Sequence, residues 1–373
     1  RQFLQIMAAS LALAGLSACA QRPREAIVPY GSQMPEQLAE AAPLFFATAF
    51  ELGGYFQPIL AESHMGRPTK IEGNPDHPAS LGAASVFAQA SVLDLYDPDR
   101  SQVIQKQGSI RAWGEFLQEI RSFVETQRAS RGSGIRILTR ATSSPTLTHE
   151  IRKFLDEFPE AKWIAFEAVN RDAVYAGTRL AFGQPLEPVY RFADADIVAA
   201  FDCDFMFAEP GALRYACDFA ARRNVFENPR GLNRFYAAEP MPSCTATLAD
   251  HRLPVTAARV GILVRGLAKL IGLPVEVPAL QPAEQRWLEA LAEDLKDHRG
   301  AGLVVAGQQQ PAEVHALAHA INHALDNLGK TVAYMPPVLS SPSNHYEQLE
   351  QLAKDADAGK VQLLIVLDAN PVA

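Results

Sequence analysis

The chain has 373 residues, a net charge of −8, 48% hydrophobic residues and 20% charged residues. That composition suits a globular protein of two or three domains with ample core. No basic run is present, which argues against nucleic acid, because displacing phosphate counterions needs clustered Lys and Arg. The acidic balance serves solubility and is compatible with a basic partner. The four cysteines, Cys19, Cys203, Cys217 and Cys244, form no C-x-x-C and no zinc-finger spacing. The last three read as buried apolar residues, and a disulfide stays open if the chain is exported.

In chain order, an Ala/Leu-rich apolar stretch runs from Arg1-Gln2-Phe3-Leu4 to Ala18. Arg1, Phe3 and Leu4 match the second half of a twin-arginine export signal, and Leu16-Ser17-Ala18-Cys19 resembles a lipobox with Cys19 as the lipidated residue. About 16 apolar residues at ~1.5 Å rise cover only ~24 Å, short of a ~30 Å hydrocarbon core. Residues 1–19 therefore read as a signal or membrane anchor. Lipidation at Cys19 and an uncleaved anchor are both open readings.

Residues 20–105 read as an extended arm and a loop-rich region, dotted with Pro and Gly. An amphipathic helix follows over 111–125, with Trp113, Phe116, Leu117, Ile120 and Phe123 on one face. Strand and helix then alternate: strands at 135–138, 163–166, 196–201 and 234–238, helices at 144–158, 172–182 and 213–222. This β-α-β order predicts a doubly wound α/β domain with a parallel sheet, spanning 106–255. Helices at 258–270 and 281–295 lead to a second α/β domain, 256–373. It has strands at 303–307, 331–334 and 363–367 and a helix over 311–328. The sequence stops just after the last strand, which reads as a fragment of a larger subunit.

The most telling stretch is residues 64–101. It holds Gly66, Ile71, Gly73, Asn74, His77, Pro78, Ser80 and Gly82, followed by Tyr96, Pro98 and Arg100. In molybdenum-dependent oxidoreductases a similar run lies among the cysteines of an iron–sulfur cluster. No cysteine occurs here between Cys19 and Cys203, and such clusters are held by thiolates. With the Arg-x-Phe-Leu start, Leu-Ser-Ala-Cys19, Arg214–Arg223 and Ala249–Pro254, the chain resembles one family: the molybdopterin-oxidoreductase-like subunit of bacterial alternative complex III. Beyond Pro254 the resemblance rests on the α/β pattern and the Asp368-Ala-Asn-Pro end.

The resemblance implies a molybdopterin-oxidoreductase-like fold without the cofactor. It also implies a place on the periplasmic, outer face of the cytoplasmic membrane, anchored at the N-terminus. The implied partners are a multihaem cytochrome c and integral membrane quinol-binding subunits. Iron–sulfur clusters are expected in a C-terminal portion absent from this sequence. Active relatives place the fourth cluster cysteine where Ala83, Ala84 and Ser85 stand. Their metal ligand falls at Asn170, about twelve residues before Phe182-Gly183. A glycine-rich phosphate loop falls at Asp202-Cys203-Asp204, and a glycine precedes Asn-Pro where Asp368-Ala369 stands. Two carboxylates near a pyrophosphate cost roughly 3 kcal/mol per charge pair at ~5 Å and an effective dielectric of ~20. Ser85, Asn170, Asp202, Asp204 and Asp368 are thus read as lost cofactor positions.

Other constellations are weaker. His315, His319 and His323 recur at four-residue spacing on one helix face, with Glu313 directed elsewhere, and read as polar packing rather than a metal site. Asp250-His251 with Asp202 lacks a nucleophile motif. His77, near Pro75 and Pro78, reads as a loop-shaping hydrogen-bond partner. The chain is therefore expected to be a non-catalytic scaffold within a quinol-oxidising complex, taking no small-molecule substrate and holding no metal or cofactor itself. A molybdopterin-dependent oxidoreductase with atypical ligands is the alternative. A free-standing lipoprotein-type binding module is a third reading.

Overall fold

A computed structural model describes residues 42–64, 66–226, 231–340 and 344–370. Arg1, Phe3, Leu4, Cys19 and the first part of the arm lie outside the described residues. Among the described residues no helix is long and apolar enough to cross a membrane.

The region expected to be an arm and loops begins with a regular sheet. Strands β1 (Leu44–Leu52), β2 (Tyr55–His64) and β3 (Arg67–Gly73) form an antiparallel meander. Leu52 and Tyr55 pair across a Gly53-Gly54 turn, both glycines at positive φ, the two-residue hairpin geometry. Ile59 and Ile71 bury against Ala88 of helix α1 (Val86–Asp94). The glycine-proline loop between β3 and α1 folds on itself. Gly82 N–H and the Ser80 hydroxyl both donate to the Asn74 carbonyl, and Ala79 N–H donates to His77 Nδ1. A side chain at Gly73 would overlap the Ala83 carbonyl, so the loop closes only over a glycine. The motif thus has a structural use that needs no cluster.

A short hairpin, β4 (Ile104–Lys106) and β5 (Ser109–Arg111), leads into α2 (Trp113–Thr126). The amphipathic stripe of α2 predicts an inward-facing side, and the structure differs. No α2 residue is fully buried, and Trp113 and Phe116 are 58% and 40% exposed. Only its Val124 joins the neighbouring core.

The main sheet is parallel, in the order β11 (His251–Pro254), β10 (Arg234–Glu239), β9 (Ile197–Phe201) and β12 (Gly302–Ala306). Alternation along β9 sends Ile197, Ala199 and Phe201 to one face and Val198 and Ala200 to the other. The first face packs on α6 (Ala257–Ile271), α7 (Pro282–Asp297) and α8 (Ala312–Ala324). The second packs on α5 (Ala212–Arg222) and on the pair β8 (Glu187–Tyr190) and β13 (Val332–Met335). Both faces are covered, as a parallel sheet requires. A second parallel sheet has the order β14 (Leu363–Leu367), β6 (Ile135–Thr139) and β7 (Lys162–Ala165). Helices α3 (Pro145–Glu157) and α9 (His345–Asp357) cover its two sides. Buried Asp355 of α9 accepts from Arg136 Nη2 of β6 at 2.7 Å and from Lys162 Nζ of β7 at 2.9 Å. Helix α4 (Asp172–Phe182) lies against α8.

The expected α/β class stands, but the sheets do not divide at residue 255. Strand β12 joins β9 and β10, while β14 returns to β6. Alternating strand and helix patterns set local order; they carry no information about which sheet a strand joins.

Candidate functional site

The carboxyl ends of both parallel sheets open on one cleft of about 360 Å³. Residues just past β6, β7 and β12 supply Ala141, Glu167 and Gln308. Phe207–Pro210 come from the loop after β9, and Leu52, Gly53, Tyr55 and Gln57 from the antiparallel meander. This is the position where open α/β sheets hold ligands. Phe87 and Phe207, both half exposed, meet across its mouth with ring centroids 5.7 Å apart.

The residues singled out from sequence do not all converge here. Asn170 lines the cleft, but its side chain is spent locally: Oδ1 accepts from Asp172 N–H at 3.1 Å and Nδ2 donates to the Glu167 carbonyl at 3.0 Å. Ser85 caps α1 by accepting from Ala88 N–H and donates to Gln57 Oε1, a lining residue. Asp368 forms an ion pair with Arg140. Glu51 and Glu167 share that electrostatic neighbourhood; burial raises both carboxyls, and Arg140 opposes the rise. Asp204 turns away to accept from Thr245 N–H at 3.0 Å and from its hydroxyl.

Asp202 and Asp368 both have left-handed backbones, φ 50° and 52°. Glycine is the default there, and Asp is among the few residues that tolerate it. The Asp202 carboxylate accepts from Gln310 Nε2 at 2.8 Å, and its carbonyl accepts from Gln309 Nε2. Gly307 N–H donates to the Phe201 carbonyl at 3.1 Å, and a Cβ there would overlap the Asp202 carbonyl. The β9 and β12 ends are thus sewn to each other. Gly307→Ala is expected to cost about 1–3 kcal/mol of stability through overpacking. Urea denaturation checks this, and an unchanged midpoint would count against the contact.

The best-built feature is one the sequence does not announce. Arg171 is buried, donating from Nη1 to Glu209 Oε2 and from Nη2 to Glu187 Oε1, both at 2.8 Å. Tyr55 and Tyr175 hydroxyls donate to Glu187 Oε2 at 2.8 and 2.6 Å. Burial opposes the Arg171 charge, but Glu187 and Glu209 hold its pKa well above the usual value. Burial also raises the Tyr55 and Tyr175 hydroxyls and the neighbouring Cys203 thiol. Cys203 is therefore a protonated thiol and a poor nucleophile. The cluster ties β2, the start of α4, β8 and the loop after β9 into one body. The available signal was charge out of place: Glu187 inside Leu-Glu-Pro-Val-Tyr, where a lone acid in an apolar run demands a buried partner.

Chemically, the cleft presents Glu167 and Glu209 beside one guanidinium paired with two carboxylates, whose Nε is buried without a hydrogen-bond partner. At the β9 end the Asp202 carbonyl and carboxylate accept from the side-chain amides of Gln309 and Gln310. Among the described residues no group of three or more His, Cys, Asp or Glu is placed to hold a metal.

No family model matches the chain. It is 25% identical over 208 residues to the menaquinone reductase, molybdopterin-binding-like subunit, of Nitratidesulfovibrio vulgaris (strain Hildenborough). The match covers 55% of this chain and 30% of that one, so the chain spans under a third of that curated relative. Among solved structures, it is similar to acetylene hydratase from Pelobacter acetylenicus, with a TM-score of 0.44 and 13% identity, covering 77% of this chain and 42% of that one. It is also similar to the formyltransferase/hydrolase complex from Methylorubrum extorquens in complex with methylofuran, with a TM-score of 0.37 and 14% identity, covering 71% and 60%. Over part of its length, then, the chain is similar in sequence to a molybdopterin-binding-like subunit of a quinone-linked enzyme.

Proposed function

We propose that this chain is a cofactor-free, molybdopterin-oxidoreductase-like scaffold in a quinone-linked respiratory or photosynthetic complex of the alternative complex III type. The observation that carries the reading is the sealed end of β9. Asp202, Gln309 and Gln310 occupy one another where a phosphate would dock, and Arg171 is committed to Glu187 and Glu209. The sequence similarity to a menaquinone reductase subunit supports the quinone-linked setting. In this reading the α/β body docks electron-transfer subunits, namely a multihaem cytochrome c and integral quinol-binding subunits. A lipid on Cys19, with the residues before it cleaved away, tethers it to the periplasmic face.

The test is metal and pterin analysis of the complex purified from membranes, read together with the intact mass of this chain. The expected result is no molybdenum or tungsten, no pterin fluorescence after denaturation, co-purification with a haem protein, and an acylated chain beginning at Cys19. Stoichiometric molybdenum with released pterin would replace this reading by a molybdopterin-dependent oxidoreductase with atypical ligands. A lone monomer on native gels would favour a free-standing binding module. A chain retaining Arg1 would rule out lipidation alone.

A further inference from the structure

Strand β1 is an edge strand: it pairs with β2 on one side, and among the described residues no strand pairs with the other. The hairpin fixes which of its backbone groups are left over. Leu52 and Tyr55 close a two-residue turn and exchange both hydrogen bonds, so every second residue back from Leu52 faces β2. Phe45, Ala47, Ala49 and Glu51 therefore turn their N–H and C=O groups to the open edge. Phe45 and Phe46 are 54% and 55% exposed, and Ala47, Thr48 and Ala49 are exposed beside them. Long edges are ordinarily blunted by Lys, Pro or a bulge. The opposite edge of this meander obeys that rule: β3 carries Arg67, Pro68 and Lys70, and its register shifts against β2 at Glu62/Ser63. In contrast, β1 has three phenylalanines, no proline and a single charge, Glu51.

We propose that β1 is a dimerisation edge, pairing antiparallel with β1 of a second copy of this chain about a twofold axis through Thr48. The run Leu-Phe-Phe-Ala-Thr-Ala-Phe-Glu-Leu reads nearly the same in both directions about Thr48. In that register Thr48 meets its own copy, Ala47 meets Ala49, Phe46 meets Phe50 and Leu44 meets Leu52. Phe45 and Glu51 make the one unlike pair. An isologous interface requires such self-complementarity, and aromatic pairs and Thr–Thr pairs are favourable cross-strand neighbours. Axes through Ala47 or Ala49 would lose these matches and set phenylalanines opposite alanine or threonine. The backbone phase permits the Thr48 axis, because outward-facing residues meet outward-facing residues. Ala47 with Ala49, and Phe45 with Glu51, become the hydrogen-bonded pairs, about eight bonds in all. Thr48, Phe46 and Leu44 fall at the close, non-hydrogen-bonded positions where side chains touch. Phe46, Thr48 and Phe50 lie opposite Ala61, Ile59 and Gln57 of β2, and Phe50 already packs on Ile59, Ile71 and Ala88. Pairing extends that small core across the axis. The one charge is not set against its like: Glu51 lies six positions from its copy, about 20 Å at a strand's rise per residue.

The test is disulfide trapping of the full chain carrying Thr48→Cys, together with sedimentation of the wild type over a concentration series. A non-hydrogen-bonded pair holds its Cα atoms ~4.5 Å apart, within the span of a disulfide. Oxidised glutathione is expected to give a reducible dimer whose crosslinked peptide joins position 48 to position 48 of the second copy. Ala47→Cys, whose copies lie on a diagonal about 7–8 Å apart, should give far less. The wild type should dimerise reversibly with concentration. Ala49→Pro removes an outward N–H and leaves the β1–β2 bonds intact, and should weaken dimerisation about tenfold. Should circular dichroism show that Ala49→Pro misfolds, the trapping result decides alone. A wild type that stays monomeric at every concentration, a dimer unmoved by a folded Ala49→Pro, or a crosslink from position 48 only to a native cysteine would overturn the pairing. Capture of a different subunit by the introduced thiol, in the complex purified from membranes, would overturn it too and assign the edge to that partner.

Discussion

Arg171→Ala is expected to destabilise the fold by roughly 3–5 kcal/mol, the cost of breaking a buried ion pair by removing one partner. The loss is large because Glu187 and Glu209 would face each other in the interior with no cation, while Tyr55 and Tyr175 would still pin Glu187. A domain with ordinary reserves of about 5–15 kcal/mol would lose about a fifth of its stability or more. The informative control is the triple variant Arg171→Met, Glu187→Leu, Glu209→Leu. It removes all three charges at once, and apolar replacement of a whole buried cluster is often neutral or stabilising. Urea denaturation should show a deep loss for the single variant and substantial recovery for the triple. Equal losses in both would mean that volume, not charge, makes the site expensive to alter.

Acidification is expected to destabilise the chain by about 4 kcal/mol between pH 7.5 and pH 5 through His315 and His319 alone. Burial lowers His315 to about 3 and His319 to about 4, from 6.5 in an unfolded chain. The folded pKa values lie below the unfolded ones, so the unfolded chain takes up protons first as pH falls below 6.5. Stability is complete above that pH and drains away toward pH 4, at about 2 kcal/mol per ring by pH 5. His345, also lowered by burial, acts in the same direction. Glu51 and Glu167 are raised by burial and oppose the trend, but both are partly solvated. Replacing both helix histidines with glutamine should flatten most of the pH dependence of the urea midpoint. A slope unchanged by that substitution would assign the acid sensitivity elsewhere.

Local signals in the sequence are strong and long-range ones are weak. Ser144 does cap α3, accepting from Leu147 N–H at 3.2 Å, and Pro145 follows in the first turn as expected. Strands β6, β9, β10, β12 and β14 lie within a residue or two of their expected ends, because β-branched and apolar runs bounded by breakers are self-announcing. The meander β1–β3 is hidden by its own prolines. Pro58 and Pro68 sit inside strands, where proline usually signals a loop. Helix α9 was not legible in the sequence, although Asn344 caps it. In the site, Asn170 and Ser85 were legible as positions, but not their local hydrogen bonds. The Arg171 cluster was illegible because its members come from residues 55, 171, 175, 187 and 209, and pairing among distant charges leaves no periodic trace.

The return of β14 to β6 sets an order of events during synthesis. Arg140 and Asp368, which pair at the ends of those strands, are 228 positions apart. At ~5–20 residues per second, β6 must wait on the order of 10–45 s for its neighbour to be made. Throughout that interval one edge of an apolar parallel strand stands open to any other chain nearby. Of the two parallel sheets, the first begun is therefore the last finished. Truncation or slow translation anywhere in the intervening two hundred or so residues prolongs the period in which this protein is most prone to aggregate.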